Sequence, residues 1–394
     1  MIKTDNPGVQ RKIVPSLVGV RGYAFLLVFF AHCCADLGSV AQSRLPVQLL
    51  EGISLVSVPF FFVLSGYLIC GILIDTRERE GYFKIFYSRR ILRVIPLYYL
   101  TLLGVALFCV LKGYRLTSGF WIHFLFMHNL FPNYQAGFSS PPGSLIVHLW
   151  SMGVEEQFYL LWPLVVWFCP NRRILLRVTL VLIACCIALR FAAPWLNLTA
   201  LDLNYFTPTR VDAILLGAVL VMIRDGKFYR WLEPIAQYVA LCGAGVIVLT
   251  TLISGLSELR TPLPAASMIS VWNITAAALV VAVMREGSFL YRLCSMKGIR
   301  WLGARSYGLY LFHFIYLEWL FNRLTPLIGR FMPFRCAQLV VAGCALGLTV
   351  LLASLSYRFI EGPANNLKKR LKYGAVKKPR TLRQSPDPVC AEAE

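Results

Sequence analysis

Residues 16–36 of this chain read SLVGVRGYAFLLVFFAHCCAD and form an apolar run long enough to cross a lipid bilayer. Arg21 lies near the start of the run and His32 near its end. On an α-helix, a step of eleven residues returns to within about 20° of the same face and rises about 16 Å. Ionisable residues inside a membrane helix are costly and therefore indicate function. The alternative is that Arg21 only anchors the helix at the inner surface and His32 is a hydrogen-bonded packing residue.

The composition extends this interpretation to the whole chain. Of the 394 residues, 58% are hydrophobic and 15% are charged, whereas a soluble chain of this size carries about 25% charged residues. The mean hydropathy is +0.64, and several further stretches contain 18 or more apolar residues. The predicted fold class is therefore all-α, a polytopic integral membrane helical bundle.

The basic residues set the predicted topology. Roughly 30 of the Lys and Arg residues fall in alternate loops on one side and roughly 7 on the other, and the positive-inside rule makes the richer side cytoplasmic. This predicts about ten transmembrane helices with both termini cytoplasmic. The same pattern accounts for the net charge of +20, so we expect the lipid bilayer as a partner and no nucleic acid. The predicted parts are a cytoplasmic segment (1–15), a membrane domain (16–358) and a basic cytoplasmic tail (359–394), expected to be disordered near anionic headgroups.

A second group of polar residues opens the predicted fourth span, HLWSMGVEEQFYLLWPLVVWF (148–168). His148, Ser151 and Glu155 are spaced three, four and seven apart, so they share one helix face. Glu155 and Glu156 are consecutive and cannot both face the same partner. Carboxylates in such a helix need a partner in the protein interior or a wet cavity, which favours a functional site. The alternative is an interfacial segment whose acids are bonded to neighbouring helices.

Arginines are dense at the start of the predicted third span, FYSRRILRVIP (86–96). Arg90 and Arg93 share a helix face, Arg89 lies beside them, and guanidinium groups suit phosphate oxygens. Simple anchoring at the membrane surface is the alternative, because any cytoplasmic loop carries arginines. Three arginines in five residues favour phosphate binding.

Three further polar residues lie in or near predicted spans. Arg210 and Asp212 open the sixth span and can pair with each other or with a ligand, and His313 lies in the ninth span as a ligand contact or a packing partner. The chain has no HExxH, P-loop, GxSxG or GxGxxG motif in a usable context. Its 12 cysteines have no metal-ligand spacing, so no metal site is predicted.

Seven motifs together resemble the acyltransferase-3 family of integral membrane acyltransferases. Each motif is modest alone, but seven in the family's order, from about residue 17 to residue 363, are specific. They are SLVGVRGYAFLLVFFAH, VPFFFVLSGYLI, FYSRRILRVIPLYYL, HLWSMGVEEQFYLLWPL, TRVDAILLGA, SYGLYLFHFIYLE and SYRFIEGPAN.

The resemblance implies a ten-span helical fold in the bacterial inner membrane. It also implies an acyl-CoA co-substrate on the cytoplasmic side, with acetyl-CoA expected, and no tightly bound cofactor. The implied acceptor is a hydroxyl of a carbohydrate, a lipid-linked glycan or a small metabolite. The chain departs from the family pattern at Val18, where an acid is common, and at Gly153, where serine is common. Val18 leaves Arg21 without a nearby carboxylate.

In the family, an arginine and a histidine of the first helix mark the active site, and these positions match Arg21 and His32. The paired arginines of the third helix match Arg90 and Arg93, and the acid of the fourth matches Glu155.

The resulting hypothesis assigns each residue a role. Arg90 and Arg93 bind the CoA phosphates, with Arg21 and Arg89 as further contacts. His32 is either a general base on the acceptor hydroxyl or a covalent acyl carrier. Glu155, in the fourth span, orients the imidazole, as the acid does in a Ser-His-Asp triad. The expected catalytic residues are thus His32 and Glu155, and the expected substrate-binding residues are His148, Ser151, Arg210, Asp212 and His313.

Two other classes of protein fit parts of the pattern. A transporter could line its substrate path with the same charges, but inverted repeats between the halves, which would favour it, are not evident. A membrane glycosyltransferase would need an acidic residue in its first extracytoplasmic loop and usually larger soluble domains. The acceptor and the route of transfer are left open.

Overall fold

The computed structural model describes residues 14–35, 45–116, 118–130, 141, 143–254 and 261–376. Within these ranges the chain is helical and has no β-strand, which confirms the all-α prediction there. Most of the predicted N-terminal segment (1–15) and the end of the predicted tail (377–394) lie outside the described residues.

Fourteen helices are labelled here in chain order. They are α1 Pro15–Ala35, α2 Leu45–Ser54, α3 Ser57–Thr76, α4 Tyr82–Leu111, α5 Trp150–Phe168, α6 Arg172–Phe191, α7 Asp212–Ile223, α8 Lys227–Ser254, α9 Pro262–Met284, α10 Lys297–Ala304, α11 Ser306–Phe312, α12 Leu317–Ile328, α13 Phe334–Ser356 and α14 Gly362–Arg370. Shorter helical turns cover Ser118–Trp121, Ile122–Leu125, Gly143–Ile146, Val147–Leu149, Ala193–Leu196, Ala200–Tyr205, Thr207–Arg210, Phe289–Cys294 and Tyr357–Glu361.

Seven helical segments among the described residues are long and apolar enough to cross a membrane, so the predicted count of ten is not confirmed. They are Pro15–Cys34, Gln48–Thr76, Tyr82–Leu111, Arg172–Phe191, Lys227–Ile253, Pro262–Met284 and Phe334–Arg370. The predicted fourth, sixth and ninth spans fall short of this criterion. In α5, Glu155, Glu156 and Gln157 lower the apolar character, α7 has only 12 residues, and the ninth span is divided between α11 and α12. These three are also the predicted spans that contain candidate substrate-binding residues.

Helices α3 and α7 pack closely against each other at two glycines. A Cβ added to Gly66 would overlap the backbone oxygen of Ile214, and one added to Gly217 would overlap that of Val63. Small residues at a membrane-helix interface let the backbones approach closely. α1 packs against the same group of helices, contacting α3, α10 and α11. Arg21 and His32, both on α1, are half-buried inside the bundle.

The segment between α4 and α5 does not span the membrane in its described part. It forms only the short turns Ser118–Trp121 and Ile122–Leu125 there. Tyr98 and Tyr99 of α4 hold these turns, since their hydroxyls donate to the backbone oxygens of His123 at 3.0 Å and Phe124 at 2.8 Å.

The start of the predicted disordered tail is structured. Residues 362–370 form α14, which packs on α4, and Tyr373 beyond it is buried. The expectation of disorder from residue 359 therefore does not hold for residues 359–376. The charge pattern of LKKRLKY gave no sign of this, because the partners of the segment lie far away in the sequence.

Candidate active site

Two histidines from opposite ends of the chain meet inside the bundle. Nδ1 of His32 lies 2.9 Å from Nε2 of His313, across a sequence separation of 281 residues. The two ring planes differ by 20°. His313, at the end of α11, is fully buried, and its Nδ1 lies 2.7 Å from the backbone oxygen of Tyr310. The structure therefore joins the predicted catalytic histidine to a residue that was expected to bind substrate.

These two contacts determine which ring nitrogens carry protons. A backbone carbonyl oxygen can only accept, so Nδ1 of neutral His313 carries the proton and its Nε2 carries the lone pair. His313 Nε2 therefore accepts a hydrogen bond from Nδ1–H of His32. The lone pair of His32 is left on Nε2, which has no hydrogen-bond partner in the described part of the chain. A general base or a nucleophile requires such a nitrogen.

Tyr310 lies between this histidine pair and the rest of the site. Its hydroxyl donates to the backbone oxygen of His148 at 2.8 Å, so Ser151, whose Oγ is 2.7 Å away, must be the donor to Tyr310. The His148 ring is 5.2 Å from that of His313, and its Nε2 donates to the backbone oxygen of Leu311 at 3.2 Å. His148 therefore lies beside His313 and not in the lining of the cavity described next.

A cavity of about 830 Å³, counted with the open space at its mouth, lies on the other side of Tyr310. Its lining includes Arg21, Arg90 and Arg93, the predicted phosphate-binding arginines. Among the described residues, none of these guanidinium groups has a hydrogen bond or an ion pair. Arg90 is instead held over the ring of Tyr159, at 4.8 Å. Unpaired guanidinium groups in a half-buried cavity are suited to bind an anion.

Glu155 lies in this cavity and not beside the histidines. Its Oε1 accepts a hydrogen bond from Ser65 at 2.6 Å, and the charges that act on it are those of Arg21, Arg90 and Arg93. The expected contact between Glu155 and His32 is not present among the described residues. The side chain that orients His32 is His313, and Glu155 remains a predicted catalytic residue whose neighbours are the arginines.

Arg89 has a different partner from Arg90 and Arg93. Its Nε and Nη2 donate to the backbone oxygen of Leu371 at 3.0 and 2.7 Å, and its guanidinium lies 5.5 Å from the centre of the Tyr373 ring. It is not in the cavity lining. Its contacts in the structure are with the segment after α14, and its direct role in phosphate binding stays a prediction.

Asp212 and Arg210 are likewise separate from the cavity. Asp212 forms a buried ion pair with Arg190, at 2.7 Å, and accepts from Asn273 at 3.0 Å. Asp212 therefore pairs with Arg190 of α6, and an ion pair with Arg210 is not present among the described residues. Arg210 is buried with its guanidinium 5.5 Å from the centre of the Trp150 ring. Neither residue lies in the cavity lining, so the contacts expected with substrate are not found there.

Replacement of Asp212 by alanine is expected to lower the free energy of unfolding by about 3–5 kcal/mol, because it leaves the Arg190 charge buried without a partner. Asp212→Asn keeps an oxygen acceptor and is expected to lose less. Unfolding of the purified protein in detergent measures the difference. A stable Asp212→Ala protein that has lost acyl transfer would instead support the substrate-binding role.

Sequence reasoning missed several residues of the site. Tyr310 precedes His313 by three positions, so helical spacing could have placed both on one face. The serine of the LSGYLI motif, Ser65, gave no signal of its contact with Glu155. Glu156, expected only to face a different partner from Glu155, also lines the cavity.

Known proteins similar to this chain are O-acetyltransferases by name. The sequence profile of the acyltransferase-3 family, described as an acyltransferase domain, matches residues 14–358. The peptidoglycan O-acetyltransferase OatA of Listeria monocytogenes is 29% identical over 381 residues, covering 90% of this chain and 56% of the relative.

Two further relatives are also named as O-acetyltransferases. The putative peptidoglycan O-acetyltransferase YrhL of Bacillus subtilis is 30% identical over 386 residues, 90% of this chain and 55% of the relative. The O-acetyltransferase OatA of Staphylococcus aureus is 26% identical over 376 residues, 89% and 57% respectively. The chain thus spans about half the length of these relatives. No solved structure matches it significantly.

Proposed function

This chain belongs to the acyltransferase-3 family, and we propose that it transfers an acetyl group from acetyl-CoA to a hydroxyl group of an extracytoplasmic carbohydrate, in the inner membrane of a bacterium. One observation carries the proposal. Helix α1 carries both Arg21 and His32. Arg21 lines the cavity together with Arg90 and Arg93, and none of these three arginines has an ion pair among the described residues. His32, whose Nε2 has a free lone pair, lies about 16 Å further along the helix axis.

The arginine cavity suits the donor. CoA carries several phosphate groups, and guanidinium groups bind phosphate through paired N–H donors. The abundance of Lys and Arg in the loops at this end favours a cytoplasmic position, where acyl-CoA is made. The distance of about 16 Å from Arg21 to His32 is comparable to the reach of an extended pantetheine arm. The thioester of a donor bound by Arg21, Arg90 and Arg93 can then approach the histidines.

The acceptor is assigned by chemistry and by the named relatives. The relatives of Listeria monocytogenes and Bacillus subtilis are named as peptidoglycan O-acetyltransferases, the second as putative, and peptidoglycan is a carbohydrate polymer with free hydroxyl groups. His32 lies toward the end of α1 opposite to the arginines, which on the positive-inside assignment is the outer side. A carbohydrate hydroxyl that reaches His32 from that side meets the lone pair of Nε2.

In the simpler chemical route, His32 acts as a general base. Nε2 removes the hydroxyl proton as the oxygen attacks the thioester carbonyl carbon, which forms the ester bond. The carbon–sulfur bond then breaks, and the CoA thiolate leaves with its electron pair and receives the proton from His32. His313 accepts from Nδ1–H throughout and stabilises the imidazolium. Proton transfer by a positioned side chain contributes about 10²–10⁴-fold to a rate.

In the second route, His32 is the nucleophile. Nε2 attacks the thioester carbon, CoA leaves as the thiolate, and an acetyl-imidazole forms. The acceptor oxygen then attacks this acetyl group, the imidazole leaves with its electron pair, and the hydroxyl proton passes to the CoA thiolate, so that the ester, neutral His32 and CoA are formed. The lone pair on Nε2 serves either route, so trapping an intermediate decides between them.

Incubation of the purified protein with acetyl-CoA labelled in the acetyl group tests the function. With soluble peptidoglycan fragments present, we expect label in an alkali-sensitive ester of the fragments and free CoA in equal amounts. Without an acceptor, rapid acid quenching followed by peptide mass spectrometry detects any acetyl-His32. Movement of a substrate without use of the acetyl group would contradict the proposal and favour a transporter.

A further inference from the structure

The segment after α13 lies across the start of α4 and is fixed there by backbone hydrogen bonds. The backbone N–H of Gly374 donates to the oxygen of Glu80 at 3.2 Å, and that of Glu80 donates to the oxygen of Ala375 at 3.1 Å. Arg89 adds two hydrogen bonds to the oxygen of Leu371. This segment, residues 362–376, is called the C-terminal strap. It lies at the end of the bundle that carries the cavity arginines.

One lysine of the strap lies close to those arginines. Lys368 lies on α14, which packs on α4, and it precedes by three residues Leu371, whose oxygen binds Arg89. The positive charges of Arg93 and Arg90 act on its ammonium group, although Lys368 itself is not among the residues that line the cavity. Lys368 is half-buried, and within the described ranges it has no hydrogen bond or ion pair. The adjacent Lys369 differs, because it is exposed and donates to Asn366 at 3.3 Å.

A group of like charges at close range needs anions. Arg21, Arg90, Arg93 and Lys368 repel one another, and low local dielectric strengthens that repulsion. Glu155 and Glu156 line the arginine cavity, and Glu361 is acted on by the charges of Arg93 and Arg21. Among the described residues, none of these three carboxylates forms an ion pair with the four cations. A ligand with several phosphate groups would supply the missing negative charge. A lysine acts on phosphate as a point charge and complements the forked guanidinium groups.

We propose that the C-terminal strap completes the donor site, with the Lys368 ammonium as a fourth phosphate-binding cation. This rests on the proposed acyl-CoA donor. Arg89 is a positioning residue in this arrangement. It holds the strap by the Leu371 carbonyl and so places Lys368 beside Arg90 and Arg93, without touching the donor itself.

The test measures CoA binding to the purified full chain in detergent by titration calorimetry. We expect Lys368→Gln to weaken CoA binding about fivefold to tenfold, as for one lost charge-assisted contact. Lys369→Gln, one position away, is the matched control and is expected to change binding less than twofold. Lys368→Arg keeps the charge and should retain most of the affinity. Pantetheine, which has no phosphate, should bind all four proteins alike.

A double-mutant cycle with Arg89 tests the positioning role. If Arg89 acts only by holding the strap, Arg89→Ala weakens CoA binding as Lys368→Gln does, and the double variant is no worse than either alone. Additive effects would mean that Arg89 contacts phosphate directly, which would overturn this part.

The outcomes separate this inference from the function on which it rests. If CoA binds and Arg93→Ala removes binding, but Lys368→Gln behaves like Lys369→Gln, the strap is structural only and the inference is wrong. If the wild-type protein binds no CoA, the acyl-CoA donor itself is wrong, and the inference falls with it.

Discussion

Replacement of His32 by alanine is expected to lower the rate of acetyl transfer by about 10²–10⁴-fold, the contribution of a positioned general base. The reason is the free lone pair on Nε2, which the hydrogen bond from Nδ1–H to His313 leaves in place. His313 does not replace it, because Nδ1 and Nε2 of His313 are both engaged. CoA binding should change little, since His32 is not in the cavity lining.

The companion variant His32→Gln separates proton transfer from packing. Glutamine is of similar size and can hydrogen-bond to His313, but it cannot take up a proton. It should therefore lose as much activity as the alanine variant. Size-exclusion profiles and thermal unfolding in detergent establish that both variants are folded. Near-normal transfer by either folded variant would remove His32 from the chemistry.

The second large effect is expected at His313. His313→Phe removes the acceptor for His32 Nδ1–H and frees the imidazole to adopt the other tautomer, in which Nε2 carries the proton. We expect kcat to fall about 10²-fold, similar to the loss of an orienting partner elsewhere. KM for acetyl-CoA should stay within about twofold, since the cavity arginines are untouched.

A rescue variant distinguishes this positioning role from simple packing. The amide oxygen of His313→Gln can take the place of Nε2 and accept from His32, so this variant should recover part of the kcat lost in His313→Phe. Steady-state kinetics with varied acetyl-CoA give kcat and KM separately. Equal loss in the Phe and Gln variants, or a loss confined to KM, would contradict tautomer control.

Local helical periodicity predicted one part of this site well. The interval from Arg21 to His32 predicted that both lie on one helix. The spacing of Arg90 and Arg93 predicted that they share a helix face, and both line the cavity. Both follow from spacing within one element, where the geometry of a helix leaves little freedom. Glu155 also reaches the same cavity as these arginines.

Contacts between distant elements were beyond local patterns. The His32–His313 contact spans 281 residues and the Arg89–Leu371 contact spans 282, and neither has a periodicity that could reveal it. Arg89 and Arg90 are neighbours with the same chemistry, yet they lie on different helix faces and so meet different partners. The count of ten spans is not confirmed for a related reason. Site residues such as Glu155 and His313 make their helices less apolar or shorter than a full crossing requires.

The position of Tyr310 has a consequence for the energy supply of a cell. The cavity lining includes Tyr310 and Ser151 but none of His32, His148 and His313, and the tyrosine hydroxyl is bonded on both sides. A water-filled passage from the arginines to the far side would leak protons and dissipate the electrochemical gradient across the membrane. On the proposed function, Tyr310 separates the arginine cavity from the histidines between turnovers, and the thioester end of the donor has to pass it only during transfer.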